Sequence, residues 1–291
     1  MQAILILAHK NIQQVVELSR KLNSNFNVYI HFDKKMSLDN DYLKVLENES
    51  IRYISQEDVK WGSWSIVRAT IALMNLALND KDNQYFHLIS GQDWPIINSR
   101  EIYDFFEGKS NIYMERYLAD GIRKSHEEII NWQKYYYYYD VINRRKLYGK
   151  IFHRLTMKLQ SLLKINKFNK FKKLKIDLDI YAGSQWGSLP RDAVEFVLDY
   201  LDSHENVYKM FETGFCSDEF WLPTILMNSS KFKDRYKNYN YHFIKWTKQH
   251  ESYPAILDEN NFIELRQSNA FFARKFDADI SRKLIEKLES E

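Results

Sequence analysis

Apolar and polar positions follow two rhythms along most of this chain. Residues 3–8 (AILILA) are a continuous apolar run, the pattern of a strand buried on both faces. Residues 11–22 then place Ile12, Val15, Val16, Leu18 and Leu22 at helical spacing, and NVYIHF at 27–32 reads as a second strand. Further on, the spacing predicts helices over 38–47, 66–78 and 100–106, with strands at 51–54, 85–89 and 112–114. After residue 180 the same rhythm returns. Strands fall at 180–189, 241–246 and 270–276, and helices at 190–200, 217–227, 258–267 and 280–288. Strands that alternate with helices in this way build a mostly parallel sheet with helices on its faces.

Residues 117–180 break the rhythm. A run of five tyrosines, Tyr135 to Tyr139, leads into Leu147, Ile151, Leu155, Leu159, Leu162 and Leu163 at helical spacing, with basic residues between them. From Arg144 to Ile176 there are twelve Lys or Arg and no acid; the whole chain is only +3, so the remainder carries −9. A basic amphipathic helix suits an anionic membrane surface or, less often, nucleic acid; the plain alternative is a solvated helical insertion packed on the core. The tyrosines would serve a nucleic-acid reading as a stacking surface. The acidic remainder argues against it, so no nucleic-acid partner is expected.

Composition narrows the class. A chain of 291 residues, 45% hydrophobic and 28% charged, is globular and can bury a large core. The single cysteine, Cys216, rules out an internal disulfide and a Cys-based metal site, and points to a reducing compartment. The N-terminal apolar run is too short for a signal peptide, and no stretch approaches the ~18 apolar residues of a membrane span. There is no glycine-rich phosphate loop and no His-x-x-x-His.

Candidate chemistry collects at element ends. Asp33 follows the second strand, where open α/β sheets bind ligands, though a turn Asp is equally natural there. Gly62-Ser63 before a helix could offer N–H groups to an anion. SGQDWPI at 90–96 takes a strand into a Gly turn and then Asp93. Arg274 and Lys275 sit among aromatics in FFARKF and need partners, either a diphosphate or Asp277 and Asp279. In CSDEFWLPTIL (216–226), Ser217 is a natural helix N-cap, and Asp218 and Glu219 suit a first turn. Alternatively, one of these carboxylates faces a cleft as a general base.

Taken in order, LILAHKN (5–11), HFDKK (31–35), WGSWSIVRA (61–69), SGQDWPI (90–96), GSQWGSLPR (183–191), SDEFWLPTIL (217–226), FIKW (243–246) and FFARKFD (271–277) resemble the core-2/I-branching N-acetylglucosaminyltransferases and the related peptide O-xylosyltransferases, the Branch glycosyltransferases of family 14. The basic segment at 120–178 matches least. The resemblance implies one GT-A-like domain over 1–291: a three-layer α/β/α fold with a central, mostly parallel twisted sheet and a basic helical insertion. It implies an inverting transfer from a UDP-sugar, most naturally N-acetylglucosamine and otherwise galactose, glucose or xylose, to a hydroxyl of a glycan acceptor.

The resemblance also implies site roles. Glu219 is the general base. Ala8, Asp33, Ser63, Arg274 and Lys275 bind UDP. Asp93, Trp94 and Ser184 line the donor sugar, and Glu115, Trp186 and Trp246 the acceptor. No metal or other cofactor is expected, because family members neutralise the leaving diphosphate with basic residues. The Asp-x-Asp triplets at 39/41, 80/82, 177/179 and 277/279 lie away from the expected metal position. The expected setting is bacterial polysaccharide or glycoconjugate synthesis, by a cytoplasmic enzyme that residues 144–175 would hold peripherally at the inner membrane face.

Overall fold

The N-terminal apolar run becomes the central strand β1 (Gln2–Ala8), and all seven of its residues are buried. The computed structural model describes residues 1–120, 128–174 and 177–290. After β1 come α1 (Ile12–Asn23), β2 (Asn27–Phe32), α2 (Asn40–Asn48), β3 (Arg52–Ile54), α3 (Ser65–Leu78), β4 (Tyr85–Ser90) and β5 (Asp93–Pro95). The middle holds α4 (Ser99–Phe106), β6 (Ile112–Leu118), α5 (Asn131–Lys134), α6 (Leu147–Leu162), α7 (Lys167–Lys173) and β7 (Tyr181–Pro190). The chain continues with α8 (Arg191–Ser203), α9 (Glu205–Glu212), α10 (Trp221–Met227), α11 (Ser230–Lys233), β8 (Tyr236–Lys237) and β9 (His242–Ile244). It closes with α12 (Phe262–Arg266), β10 (Phe272–Arg274) and α13 (Arg282–Glu289).

Seven strands form the main sheet in the order β3-β2-β1-β4-β7-β6-β8. The first four run parallel, β7 is antiparallel to β4 and β6, and β8 is parallel to β6. Side chains alternate across β1. Ala3, Leu5 and Leu7 join one core with residues of α3, α8 and α10; Ile4, Ile6 and Ala8 join the other with α1, α4 and α13. Burying each such Leu or Ile contributes about 1.5–3 kcal/mol. This is the three-layer α/β/α architecture that the resemblance implies. From β1 the chain steps outward through β2 to β3, then returns to the opposite side of β1 as β4. That reversal makes the carboxyl ends of β1 and β4 a topological switch point, outside which sheets of this kind have their ligand crevice. A small second sheet, β5-β10-β9, lies beside it, and just past β10 the Phe276 N–H donates to the Gln92 carbonyl at 2.8 Å.

The tyrosine run is divided between core and surface, with Tyr138 exposed. Tyr137 and Tyr139 are buried with Phe215 and Cys216 in a small separate core. Lys167, one of the twelve basic residues, is buried as well: its Nζ donates to the Met210 carbonyl at 2.9 Å and to Thr213 Oγ1 at 3.3 Å. Burial pushes its pKa down to about 7. Lys175, also of that set, lies outside the described residues. Among the described residues no helix is long and apolar enough to cross a membrane.

Candidate active site

The crevice floor is set by backbone. The Ala8 carbonyl accepts the Asp33 N–H at 2.8 Å, and the Leu7 carbonyl accepts that of Gly91 at 2.9 Å. Asp33 and the turn after β4 therefore flank the end of β1. Asp33 is buried, and its Oδ1 accepts the Lys35 N–H at 3.0 Å, so it also caps its own turn.

Asp93 is wholly buried; Ser90 N–H donates to its Oδ2 at 2.7 Å and Ser90 Oγ to its Oδ1 at 3.1 Å. Antiparallel pairing of β5 with β10 sets Arg274 opposite it. Arg274 Nε lies 3.4 Å from Asp93 Oδ1, and His242 Nε2 lies 3.6 Å from Oδ2. Neither nitrogen makes an aligned hydrogen bond. The Arg274 guanidinium instead rests over the Trp186 ring, 4.5 Å from its centroid, a cation–π contact. Burial pushes the Asp93 carboxyl up, but Arg274, His242 and the Ser90 N–H outweigh it and hold it below its ordinary value. Asp277 and Asp279 are thus not the partners of Arg274.

Lys275 comes next, and its Nζ donates to Ser252 Oγ at 3.4 Å. Among the described residues no carboxylate lies within ion-pair distance of it. Burial first, then the charges of Arg274 and Lys10, push its pKa down. Burial, Lys10 and Arg274 do the same to His9, with Asp33 opposing. Lys10 itself is 3.5 Å from Asp277 Oδ2. Lys10 and Arg274 thus each have a carboxylate nearby and Lys275 has none among the described residues, an arrangement that can accept an anion.

The acid pair lies on a different element. Cys216 takes a left-handed conformation (φ 48°), and Ser217–Glu219 forms a single 3-10 turn ahead of α10. Ser217 is not the N-cap that its sequence position suggests. Its Oγ turns inward and donates to the Phe211 carbonyl at 2.6 Å and to Gln133 Oε1 at 3.2 Å. WGSWS has a different task from the expected one as well. The Gly62 carbonyl accepts the Cys216 N–H at 3.0 Å. Gly62 has φ +72°, and a Cβ there would come within 2.5 Å of the Phe215 ring. This loop is a buttress for the acid-bearing turn. That turn packs on β7, the strand whose Trp186 holds Arg274, so β7 links acids and cations.

Asp218 Oδ1 is buried without a hydrogen-bond partner. Burial first, then the Glu219 charge, push the Asp218 carboxyl up to about 8. Burial thus favours the protonated form of Asp218. In the unfolded chain Asp218 loses that proton near pH 4. Between about pH 4 and 8 the folded state thus binds more protons, and stability falls as pH rises. Asp218→Asn should match the wild type near pH 4. At pH 8 it should melt higher, by at least the 2–4 °C that roughly 1 kcal/mol gives a chain of this size. Thermal unfolding at both pH values checks this; equal melting temperatures at pH 8 would contradict it.

The remaining expected positions divide. Trp186 is in the cluster, and Ser184 lies two residues away on the same strand, accepting the Trp186 N–H at 3.1 Å. Glu115 sits at a β-bulge between Met114 and Arg116 that re-aims its side chain. Gly183 allows this: a Cβ there would sit 1.8 Å from the Glu115 carbonyl oxygen. The protein around the Glu115 carboxyl pushes its pKa up, with His242 opposing. Trp246 lies apart, 61% exposed against Tyr253. Two positions are buried. Trp94 alternates with Asp93 and so points into the core, 2% exposed, against Phe276. Ser63 is also buried: its N–H donates to the Lys60 carbonyl at 3.1 Å and its Oγ pairs with that of Ser65 at 2.7 Å. The Asp140 carboxylate accepts the Ser65 N–H at 3.1 Å and ion-pairs with Arg68 at 2.7 Å, so it holds the anion position at the start of α3.

Lys10 and His242 had no assigned role in the sequence. Lys10 carries a usable signal, a cation directly after the central strand. His242 carries none, because only the β5-β10-β9 pairing brings it to Asp93.

A family model described as Core-2/I-Branching enzyme matches residues 3–266. The chain belongs to this glycosyltransferase family. Among relatives of this family member, beta-glucuronosyltransferase GlcAT14A of Arabidopsis thaliana is 23% identical over 277 residues, covering 94% of this chain and 57% of that protein. Beta-glucuronosyltransferase GlcAT14B of the same plant is 30% identical over 113 residues, covering 38% of this chain and 26% of that one. The chain therefore spans little more than half the length of the first of these. Solved structures are similar only loosely. S. aureus TarS in complex with UDP aligns at TM-score 0.30 with 15% identity, over 39% of this chain and 35% of that one. Core-mannan synthase A from Aspergillus fumigatus, in a Mn/GDP form, aligns at TM-score 0.36 with 10% identity, over 81% and 72%.

Proposed function

We propose that this family member moves a sugar from a UDP-sugar to a hydroxyl of a glycan acceptor, with inversion, in polysaccharide or glycoconjugate synthesis. The observation that carries the reading is Lys275: a part-buried cation with no carboxylate in ion-pair reach among the described residues, next to Arg274 and Lys10, at the switch point of the sheet. A diphosphate there completes the charge balance. Ala8 and Asp33 flank the nucleoside on this reading, and Asp93 fixes Arg274 beside the phosphates.

Glu219 takes the proton of the acceptor hydroxyl as its oxygen attacks the anomeric carbon, and the bond to UDP breaks. Lys275 and Arg274 meet the charge that develops on the leaving diphosphate, as preorganised cations do in other phosphate sites. Asp218, kept neutral, places no second negative charge in the path of that proton. Glu115 and Trp186 border the acceptor side. On this reading the cations do the neutralising work, so transfer proceeds in EDTA.

Donor hydrolysis tests the proposal without knowledge of the acceptor. UDP release is to be followed in EDTA with UDP-linked N-acetylglucosamine, galactose, glucose, xylose and glucuronic acid, the last suggested by the Arabidopsis relatives. One donor should release UDP well above the others. Release that needs added Mn²⁺ would remove metal independence, and no release from any donor, with or without metal, would overturn the proposal.

A further inference from the structure

A helix on a protein surface normally turns its apolar stripe inward and its polar side to water. In α6 the arrangement is reversed. The residues it sets against the protein are mostly polar or small, with Met157 as the apolar contact. His153 Nδ1 pairs with the Tyr139 hydroxyl at 2.9 Å. The Gln160 side chain accepts the Tyr136 N–H at 2.8 Å and donates to the Tyr136 carbonyl at 2.9 Å, and only Gly149 and Gln160 of the helix are buried. Leu147, Ile151, Leu155, Leu159, Leu162 and Leu163 are instead 51–75% exposed. At about 100° per residue they fall within one broad arc. Lys150, Arg154 and Lys158 border that arc and are exposed, as are Lys170, Lys172 and Lys173 on α7. No acid occurs between Arg144 and Ile176 to offset them.

We infer that α6 seats the chain on an anionic lipid bilayer, with its leucines at the boundary of the acyl chains and its lysines and arginine among the headgroups. Charge selects this occupant. A second copy meeting α6 face to face would bring two basic ridges together. Nucleic acid would satisfy the cations and leave the leucines in water. An anionic bilayer satisfies both at once, and a helix of this make-up lies in the plane of the interface. The location has a consequence that rests on the function proposed above. Tyr137 and Tyr139, directly before α6, pack on Phe215 and Cys216, the residues that lead into Ser217–Glu219. A seated α6 therefore brings the acid-bearing turn close to the membrane surface, where a lipid-linked glycan presents its hydroxyls.

Vesicle co-sedimentation of the whole chain tests this without any measurement of transfer. Wild type should partition to phosphatidylglycerol-containing vesicles at least ten times better than to pure phosphatidylcholine. Leu155→Ser/Leu159→Ser and, separately, Lys150→Glu/Arg154→Glu should each lower that partition at least tenfold. All four positions are exposed, so UDP binding should survive and report an intact fold. Equal partition to neutral and anionic vesicles, or anionic partition unchanged in the leucine variant, would overturn the inference. So would a dimer in light scattering that the leucine variant abolishes, without vesicle binding, or binding to an oligonucleotide in place of vesicles.

Discussion

Glu219→Gln is expected to lower sugar transfer by roughly 10²–10⁴-fold, the contribution of a positioned general base, and to leave UDP affinity unchanged. The substitution keeps the size and shape of the side chain. The turn that carries it is held by Ser217 on the Phe211 carbonyl and by Cys216 on Gly62. What the amide lacks is the capacity to take a proton. Asp218 is adjacent, but burial favours its protonated form over the carboxylate that a base requires. Initial transfer rates and UDP titrations on the same preparation separate the two properties. Transfer at near wild-type rate in Glu219→Gln would move the base elsewhere.

Lys275→Ala should weaken UDP binding by roughly 10–150-fold, the equivalent of one charge-assisted contact of about 1.5–3 kcal/mol. Uridine, which has no phosphates, should bind wild type and variant alike. Lys275 is the informative position because among the described residues it has no acid to leave stranded. Removing Arg274 would abandon Asp93 as an unpaired buried charge, at a cost of about 3–5 kcal/mol to folding, and would confuse binding with stability. An unchanged UDP affinity in Lys275→Ala would place the diphosphate outside this cluster.

How much of this was legible in the sequence differs by element. The central strand and α1 were plain, since a continuous apolar run and a 3.6-residue period each admit one reading over that length. The acid-bearing turn was located but its local structure was not. Ser217 has the chemistry of an N-cap, and only the packing of Phe211 and Gln133 beneath it shows that its hydroxyl is used elsewhere. The charge cluster depends on strands three residues long, β5, β9 and β10, which are too short for alternation to register. Asp93 and Arg274 meet across 181 positions of sequence for that reason. The same alternation, invisible beforehand, turns Trp94 into the core. For α6 the period was legible and its orientation was not. Spacing says that the leucines share a face, and nothing in the spacing says that this face looks away from the protein.

The central claim is that the crevice at the ends of β1 and β4 binds a nucleoside diphosphate through its own cations. Calorimetric titration of UDP and of uridine into the wild-type chain in EDTA tests it most directly. The account predicts saturable UDP binding, weakened by added salt, and uridine binding at least tenfold weaker. Equal affinity for the two, or no UDP binding at millimolar concentration, would contradict it.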